Sequence, residues 1–175
     1  MSDLSSLVFV LVDVRSCYNV GSIARTAECL GVRKIFCVGI TPYPEIEGDT
    51  RTRKHIDSNN KEISKTALGS EKTIEFIPIK TLEDVSKELK TLDYKLIGFE
   101  SVENTATISE WNPLEKTAIV LGSEVDGISL KDLSILDQVI KIDMFGSKES
   151  LNVSVVAGIA GYFYRYKRGE LNING

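Results

Sequence analysis

The sequence predicts an α/β fold: a mostly parallel sheet with helices on both faces. The chain has 175 residues, close to the size of one domain. Short β-branched apolar runs alternate with amphipathic stretches, and the first run, Leu7–Val12, is apolar throughout. A continuous apolar run is typical of a strand buried on both faces. Strands that alternate with helices form parallel sheets, because each connection has to cross back over the sheet.

The elements follow in order along the chain. Pro78 predicts that the third strand lies at a sheet edge or ends near this residue. Residues 39–60 are expected to form a long polar loop. Strands are predicted at Leu7–Val12, Lys34–Val38, 74–79, Lys95–Phe99, Thr117–Leu121 and 138–142. Helices are predicted at 20–30, 81–91, 129–136 and 152–168.

Composition limits the function classes. Hydrophobic residues make up 42% of the chain and charged residues 26%, as in ordinary globular proteins. Lys and Arg number 21 against 25 Asp and Glu, so the net charge of −4 predicts at most a local nucleic-acid site. No apolar run approaches the ~20 residues of a membrane span, so we expect a cytoplasmic protein. Three cysteines without a CxxC pair and the single His55 predict no metal site.

The first candidate site is the run Asn19-Val-Gly-Ser-Ile-Ala-Arg-Thr-Ala27. Asn19 is a favoured N-cap residue, and Arg25 lies nearly two turns further along. Gly21 is unfavourable inside a helix, by up to ~1 kcal/mol against Ala, which predicts that something approaches the backbone closely. The alternative interpretation is an ordinary capped helix with a solvated Arg25.

The second candidate is the turn bounded by Gly122 and Gly127, which follows a buried strand. It has the spacing of a phosphate-binding loop, but Ile128 stands where that loop requires Lys. Glu124 and Asp126 would also repel phosphate, and no G-x-G-x-x-G dinucleotide motif is present. A backbone-lined pocket beside a carboxylate remains, with a plain acidic turn as the alternative.

The third candidate runs from Ile142 to Ser154, where a strand leads through a polar loop into the last helix. Ser150 or Asn152 is expected to cap that helix. Small residues at 157, 158, 160 and 161 allow another segment to approach it closely. Helix capping and tight packing alone would also account for this pattern.

Taken together, the three runs resemble the motifs of SpoU-type (TrmH-like) RNA ribose methyltransferases of the SPOUT, or α/β-knot, superfamily. The resemblance covers about residues 7–168, in the same order and spacing. It implies a C-terminal deep trefoil knot, S-adenosylmethionine as cofactor, a homodimer, and methyl transfer to a ribose 2′-hydroxyl of tRNA or rRNA. We therefore expect residues 1–175 to be one methyltransferase domain without a separate RNA-binding extension.

The resemblance also implies roles for individual residues. Arg25 would be the key catalytic residue, acting across the dimer interface. Asp143 departs from the family, which commonly has Pro there, and this bears on cofactor affinity. The residues implied to support catalysis are Asn19, Glu124, Ser150 and Asn152. The residues implied to contact the cofactor are Phe99, Gly122, Ile142, Met144, Ser150 and Leu151.

RNA contact is expected at the densest basic run, which contains Arg51, Arg53 and Lys54. The aromatic and small residues of the last helix predict that part of it lies in a twofold interface. Two other functions remain open: a non-catalytic RNA-binding knot protein, and a knot methyltransferase that acts on a base nitrogen. Intact Arg25 disfavours the first, and Asn152 in its motif favours ribose over base.

Overall fold

The computed structural model describes residues 6–170. In this part of the chain the strands are β1 (Leu7–Val12), β2 (Lys34–Val38), β3 (Glu75–Ile79), β4 (Lys95–Phe99), β5 (Ala106–Thr107), β6 (Thr117–Leu121) and β7 (Gln138–Lys141). The α-helices are α1 (Cys17–Cys29), α2 (Arg53–Ala67), α3 (Leu82–Thr91), α4 (Leu130–Leu133) and α5 (Val153–Lys167).

The seven described strands form one sheet in the order β3-β2-β1-β6-β4-β7-β5, and every neighbouring pair is parallel. The central strand β1 is buried along its whole length. Its alternate residues face two cores: Phe9 packs in the core with α1, α2 and α5, and Val10 packs in the core with α3. The predicted parallel sheet with helices on both faces is therefore confirmed. None of the helices in residues 6–170 has the length and apolar character needed to cross a lipid bilayer.

Helix α1 begins earlier than predicted. Ser16 is its N-cap, and the Ser16 hydroxyl accepts a hydrogen bond from the backbone N–H of Asn19. The prediction that Asn19 caps the helix is therefore wrong, because Asn19 lies within the first turn and its side chain points elsewhere. Gly31, at φ 70°, follows the C-cap residue Leu30 and ends the helix.

The predicted loop at 39–60 is wrong from Arg53 onward, where α2 begins. This helix is mostly polar, and only a narrow face of it is buried, so its composition resembles that of a loop. Gly21 faces α2: a Cβ at Gly21 would lie 2.3 Å from the Ile63 carbonyl oxygen and 2.3 Å from the Thr66 hydroxyl oxygen. The close approach predicted at Gly21 is thus helix packing.

The remaining differences are small. Strand β3 lies at an edge of the sheet, as Pro78 predicts. Helix α4 is a single turn, shorter than the predicted 129–136, and the two-residue strand β5 was not predicted. Helix α5 matches the prediction at 152–168 within about a residue at each end, with Asn152 as its N-cap.

Candidate active site

A cavity of about 460 Å³ lies where β4, β6 and β7 end. Parallel strands end at the same edge of a sheet, and ligands of such sheets bind there. Edge-to-face contact with Trp111, at 5.2 Å between ring centroids, fixes the ring of Phe99 in the cavity wall. All six residues implied to contact the cofactor line this cavity: Phe99, Gly122, Ile142, Met144, Ser150 and Leu151.

The loop 122–128 forms one side of the cavity as a tight turn. Ser123 and Gly127 exchange backbone hydrogen bonds at 3.1 Å, and Gly127 has φ 64°. A Cβ at Gly122 would lie 2.3 Å from the carbonyl carbon of Gly127 and 2.5 Å from the backbone nitrogen of Ile128. Gly122 is therefore required by the turn itself, before any ligand is considered.

Glu100, which was not predicted as a site residue, holds this turn from the end of β4. Its carboxylate accepts a hydrogen bond from the backbone N–H of Ile128 at 2.8 Å and one from the N–H of Ser101 at 3.0 Å. A carboxylate directly after a buried strand, at the ligand-binding edge of a parallel sheet, was the signal available for it.

Glu124 joins the second motif to the first. Its carboxylate accepts hydrogen bonds from the backbone N–H of Arg15 at 2.9 Å, the N–H of Ser16 at 3.1 Å and the side-chain amide of Asn19 at 2.7 Å. Partial burial raises the pKa of Glu124, but these donors outweigh burial and hold the pKa below its ordinary value. Glu124 is therefore a weak proton acceptor that orients its neighbours.

Asn19 and Asn152 join the first motif to the third. The Asn152 amide donates to the Asn19 side-chain oxygen at 3.2 Å, while the Asn152 oxygen accepts from the backbone N–H of Ser154 at 2.8 Å. A chain of hydrogen bonds thus runs from Glu124 through Asn19 to Asn152. The structure brings together residues more than 100 positions apart in sequence.

Arg25 lies apart from this network. Its side chain is exposed, it is not among the cavity-lining residues, and within residues 6–170 it makes no hydrogen bond or ion pair. At 3.6 residues per turn, Arg25 projects about 120° away from Asn19 around α1. Within one chain, the predicted catalytic arginine therefore points away from the cavity wall that Asn19 helps to position.

The cavity is acidic. Glu100, Glu124 and Asp126 line it, and none of its lining residues in the described chain is Lys, Arg or His. One of these carboxylates, Asp126, pairs with the Arg15 guanidinium at 2.9 Å in an exposed ion pair. Such a cavity favours a cationic ligand over a phosphate. No group of three or more His, Cys, Asp or Glu in residues 6–170 is arranged to hold a metal ion.

The predicted RNA contact Arg51 is held inside its own loop. Its guanidinium donates to the carbonyl oxygens of Tyr43 at 3.0 Å and Pro44 at 3.1 Å, pairs with Asp49, and stacks 3.6 Å over the Tyr43 ring. Hydrogen bonds from Arg51 hold the pKa of Asp49 well below its ordinary range. These contacts give Arg51 a structural role within its loop, and its contact with RNA stays a prediction.

Arg53 and Lys54 are placed differently, on the first turn of α2. Arg53 is exposed and pairs with Glu45 at 2.5 Å and Asp57 at 2.9 Å. Lys54 is exposed and forms no ion pair within the described residues. Among Arg51, Arg53 and Lys54, Lys54 is therefore the residue most accessible to an RNA phosphate.

The comparisons with known proteins identify the family. Residues 6–162 match the sequence profile of the SpoU rRNA Methylase family. This chain belongs to the SpoU rRNA Methylase family. The SpoU fold includes the C-terminal knot that the sequence analysis expected.

Two curated SpoU relatives are similar along most of this chain. The chain is 29% identical over 153 residues to "23S rRNA (guanosine-2'-O-)-methyltransferase RlmB" of Neisseria meningitidis, covering 87% of this chain and 55% of that protein. It is 27% identical over 156 residues to "tRNA (guanosine(18)-2'-O)-methyltransferase" of Escherichia coli, covering 89% of this chain and 61% of that protein. The chain thus spans little more than half the length of these SpoU relatives.

A solved SpoU structure shows the same fold. The SpoU methyltransferase AviRb of Streptomyces viridochromogenes, solved in complex with AdoMet, superposes with a TM-score of 0.77 at 20% identity. The match covers 94% of this chain and 58% of that one. At this identity the likeness establishes the SpoU fold, and the fold places the three motif loops at one edge of the sheet.

Proposed function

We propose that this protein is an RNA 2′-O-ribose methyltransferase that uses S-adenosylmethionine and acts on tRNA or rRNA. The observation that carries the proposal is the hydrogen-bonded chain Glu124–Asn19–Asn152, which joins the three motif loops around one cavity. The named activities of the two relatives, on guanosine in 23S rRNA and in tRNA, support the same substrate class.

The cavity fits S-adenosylmethionine by its chemistry. Its volume of about 460 Å³ lies within the usual range of small-molecule sites, about 300–1,000 Å³. Leu121, Ile142 and Met144 offer apolar surface, and Glu100 and Glu124 offer negative charge. A positively charged cofactor is therefore favoured over a phosphorylated nucleotide. The AdoMet complex of AviRb supports this choice.

When bound, S-adenosylmethionine supplies an electrophilic methyl group on a sulfonium sulfur. The ribose 2′-oxygen forms the new O–CH₃ bond as the S–CH₃ bond breaks, and the hydroxyl proton has to leave. Glu124 is poorly suited to take that proton, because its pKa is lowered and its oxygens already accept three hydrogen bonds. We assign Glu124, Asn19 and Asn152 to positioning the loops, and Ser150 to the cavity wall.

Arg25 is assigned the charged catalytic role. An arginine stays protonated at working pH, so it acts by holding the adjacent RNA phosphate, which can accept the proton, or by stabilising charge on the 2′-oxygen. Because Arg25 points away from the cavity of its own chain, it has to reach the cavity of a second subunit. The proposal therefore requires a homodimer.

The exposed face of α5 supports a dimer. Val155, Ile159, Tyr162 and Tyr166 are exposed and recur at the spacing of one helix face. A contiguous apolar stripe of this kind is typical of a protein interface. We propose that α5 packs against its twofold copy and that α1, which packs beside α5 through Thr26 and Gly158, brings Arg25 to the partner's cavity.

RNA is proposed to contact Lys54 and Arg53, at the start of α2. The RNA phosphates would compete with Glu45 and Asp57 for Arg53, since both of these ion pairs are exposed and exposed pairs are weak. Cytoplasmic tRNA and rRNA are the proposed substrates, so the cytoplasm is the proposed location. We propose that the described residues act as one methyltransferase domain.

Methyl transfer from labelled S-adenosylmethionine to RNA tests the proposed function. The RNA is tRNA or fragmented rRNA from cells that lack this protein, and calorimetry measures cofactor binding without RNA. We expect one cofactor per chain and label in the RNA. Cofactor or RNA binding without transfer would instead support the non-catalytic knot protein. Absence of cofactor binding at millimolar concentration would contradict the proposal.

A further inference from the structure

The loop between β7 and α5 carries an aromatic side chain with no packing role. Phe145 is 99% exposed, the largest exposure among the large hydrophobic residues of the described chain. Its neighbour Met144 lines the cavity, and the following residues 146–150 are all exposed. A fully exposed phenyl ring is unfavourable in water by the apolar area that it leaves uncovered, so a residue of this kind at a cavity calls for a ligand.

A second exposed apolar residue belongs to the cavity lining itself. Val125, in the turn 122–128, is 73% exposed and lines the cavity directly. Its chain neighbours Glu124 and Asp126 also line the cavity and are acidic. The cavity and its surroundings therefore combine exposed apolar side chains with negative charge, which disfavours RNA phosphates and favours an uncharged aromatic group.

We propose that Phe145 is the stacking platform for the nucleobase of the nucleotide whose ribose is methylated. This inference rests on the proposed function. For a ribose 2′-oxygen to reach the cavity, the base on the same sugar has to lie just outside it. Phe145 directly follows the lining residue Met144 in the chain and is fully exposed there. Stacking of a base on an aromatic side chain stabilises binding by about 1–3 kcal/mol and tolerates every base, because each has a π face.

Substitution of Phe145 tests the proposal. Phe145→Leu keeps an apolar side chain without a π face, and Phe145→Trp keeps stacking. We expect Phe145→Leu to lower kcat/KM for RNA by about tenfold, the equivalent of ~1.4 kcal/mol, with the Kd for S-adenosylmethionine unchanged. Phe145→Trp should keep a kcat/KM for RNA close to that of the unmodified protein. The matched control is Leu130→Ala, another strongly exposed apolar residue, at the start of α4, neither of whose chain neighbours lines the cavity.

A second measurement does not need turnover. A short single-stranded RNA that carries 2-aminopurine loses fluorescence when the base stacks, and we expect quenching by the unmodified protein and by Phe145→Trp, with much less by Phe145→Leu. If the protein quenches the fluorescence of 2-aminopurine but transfers no methyl group, the proposed function fails and the stacking proposal stands. Equal quenching by Phe145→Leu overturns the stacking proposal. A shift of Phe145→Leu from dimer to monomer in sedimentation also overturns it, by showing that a second copy covers the ring.

Discussion

Arg25 is the residue on which the proposed reaction depends most. We expect Arg25→Ala to lower methyl transfer by at least about 10²-fold, the scale of losing one group that stabilises transition-state charge, without changing cofactor affinity. Arg25→Lys should recover little, because Lys lacks the planar fork of donors. Single-turnover methylation measures the rate of methyl transfer, and calorimetry measures cofactor affinity. The matched control is Arg33→Ala, an exposed arginine beyond the end of α1. A rate of methyl transfer in Arg25→Ala equal to that of the unmodified protein would show that Arg25 is not the catalytic arginine.

Arg51 and Lys54 lie three residues apart but are expected to respond differently. Arg51→Ala should lower stability, because it leaves the buried Asp49 carboxylate and two loop carbonyls without their donor. The double change Arg53→Ala with Lys54→Ala should instead keep stability and flatten the salt dependence of RNA binding by up to about 2 units of slope. Chemical unfolding and RNA titrations at several salt concentrations separate the two effects. An unchanged salt dependence in the double variant would show that the start of α2 does not contact RNA.

Glu124 makes the site sensitive to acid. Its folded pKa lies below its unfolded value, so its stabilising contribution is complete above the unfolded pKa of about 4.3 and is lost as the pH falls through the folded pKa. We expect Glu124→Gln to be less stable than the unmodified protein at neutral pH, with a difference that shrinks as the pH falls below about 4. Chemical unfolding as a function of pH measures it. A difference that does not change with pH would contradict the charged network.

The turn 122–128 requires glycine at position 122, whereas the third motif loop has room for a side chain at Gly146. We expect Gly122→Ala to weaken cofactor binding and to destabilise the protein by about 1–3 kcal/mol, because its Cβ meets the backbone of Gly127 and Ile128. The matched control is Gly146→Ala, in the third motif loop, where a Cβ meets nothing within 4 Å. Calorimetry and thermal unfolding check both variants. Equal behaviour of the two variants would contradict this account of the turn.

The elements with strong hydrophobic patterns were predictable from sequence. Strands β2, β4 and β6 match their predicted bounds because each is a short apolar run between polar residues. Helix α2 was missed because it exposes most of its surface and buries only a narrow face. The two-residue strand β5 gives no periodicity at all. Hydrophobic patterns therefore predicted the strands that are buried along their length. They did not predict α2 and β5, which bury little apolar surface.

The site was predictable in part, through the resemblance of its motifs. The six proposed cofactor contacts do surround one cavity. The role of Glu124 as a partner of Asn19 was not predictable, because nothing local relates residues 105 positions apart. The structural role of Arg51 was not predictable either, because the loop conformation that brings the Tyr43 and Pro44 carbonyls to its guanidinium leaves no pattern in the sequence. Charge density alone made that arginine resemble an RNA contact.

At the scale of the whole molecule, the account requires that two chains share each site. We expect Ile159→Glu with Tyr162→Glu to yield a monomer that binds cofactor but does not methylate RNA, because charge on the α5 face prevents close packing. Leu92→Glu, at an exposed apolar residue just after α3, is the matched control. Sedimentation gives the oligomeric state. An active monomer would contradict action of Arg25 across the interface.

Mixed dimers test the same point without disrupting the interface. One subunit carries Arg25→Ala and the other carries Gly122→Ala, and the S-adenosylmethionine concentration is set low enough that neither variant alone methylates RNA. If Arg25 acts across the interface, the mixed dimer has one complete site, and activity returns when the two variants are refolded together. If Arg25 acts within its own chain, no site is complete and activity stays absent.

The central claim is that this protein transfers a methyl group to a ribose 2′-oxygen of RNA. The most direct measurement is nuclease digestion of the methylated RNA to nucleosides, followed by chromatography and mass spectrometry of the labelled product. The account predicts label on the ribose of a 2′-O-methylated nucleoside, present with the unmodified protein and lost with Arg25→Ala. Label on a base nitrogen, or the absence of label from RNA despite bound S-adenosylmethionine, would contradict it.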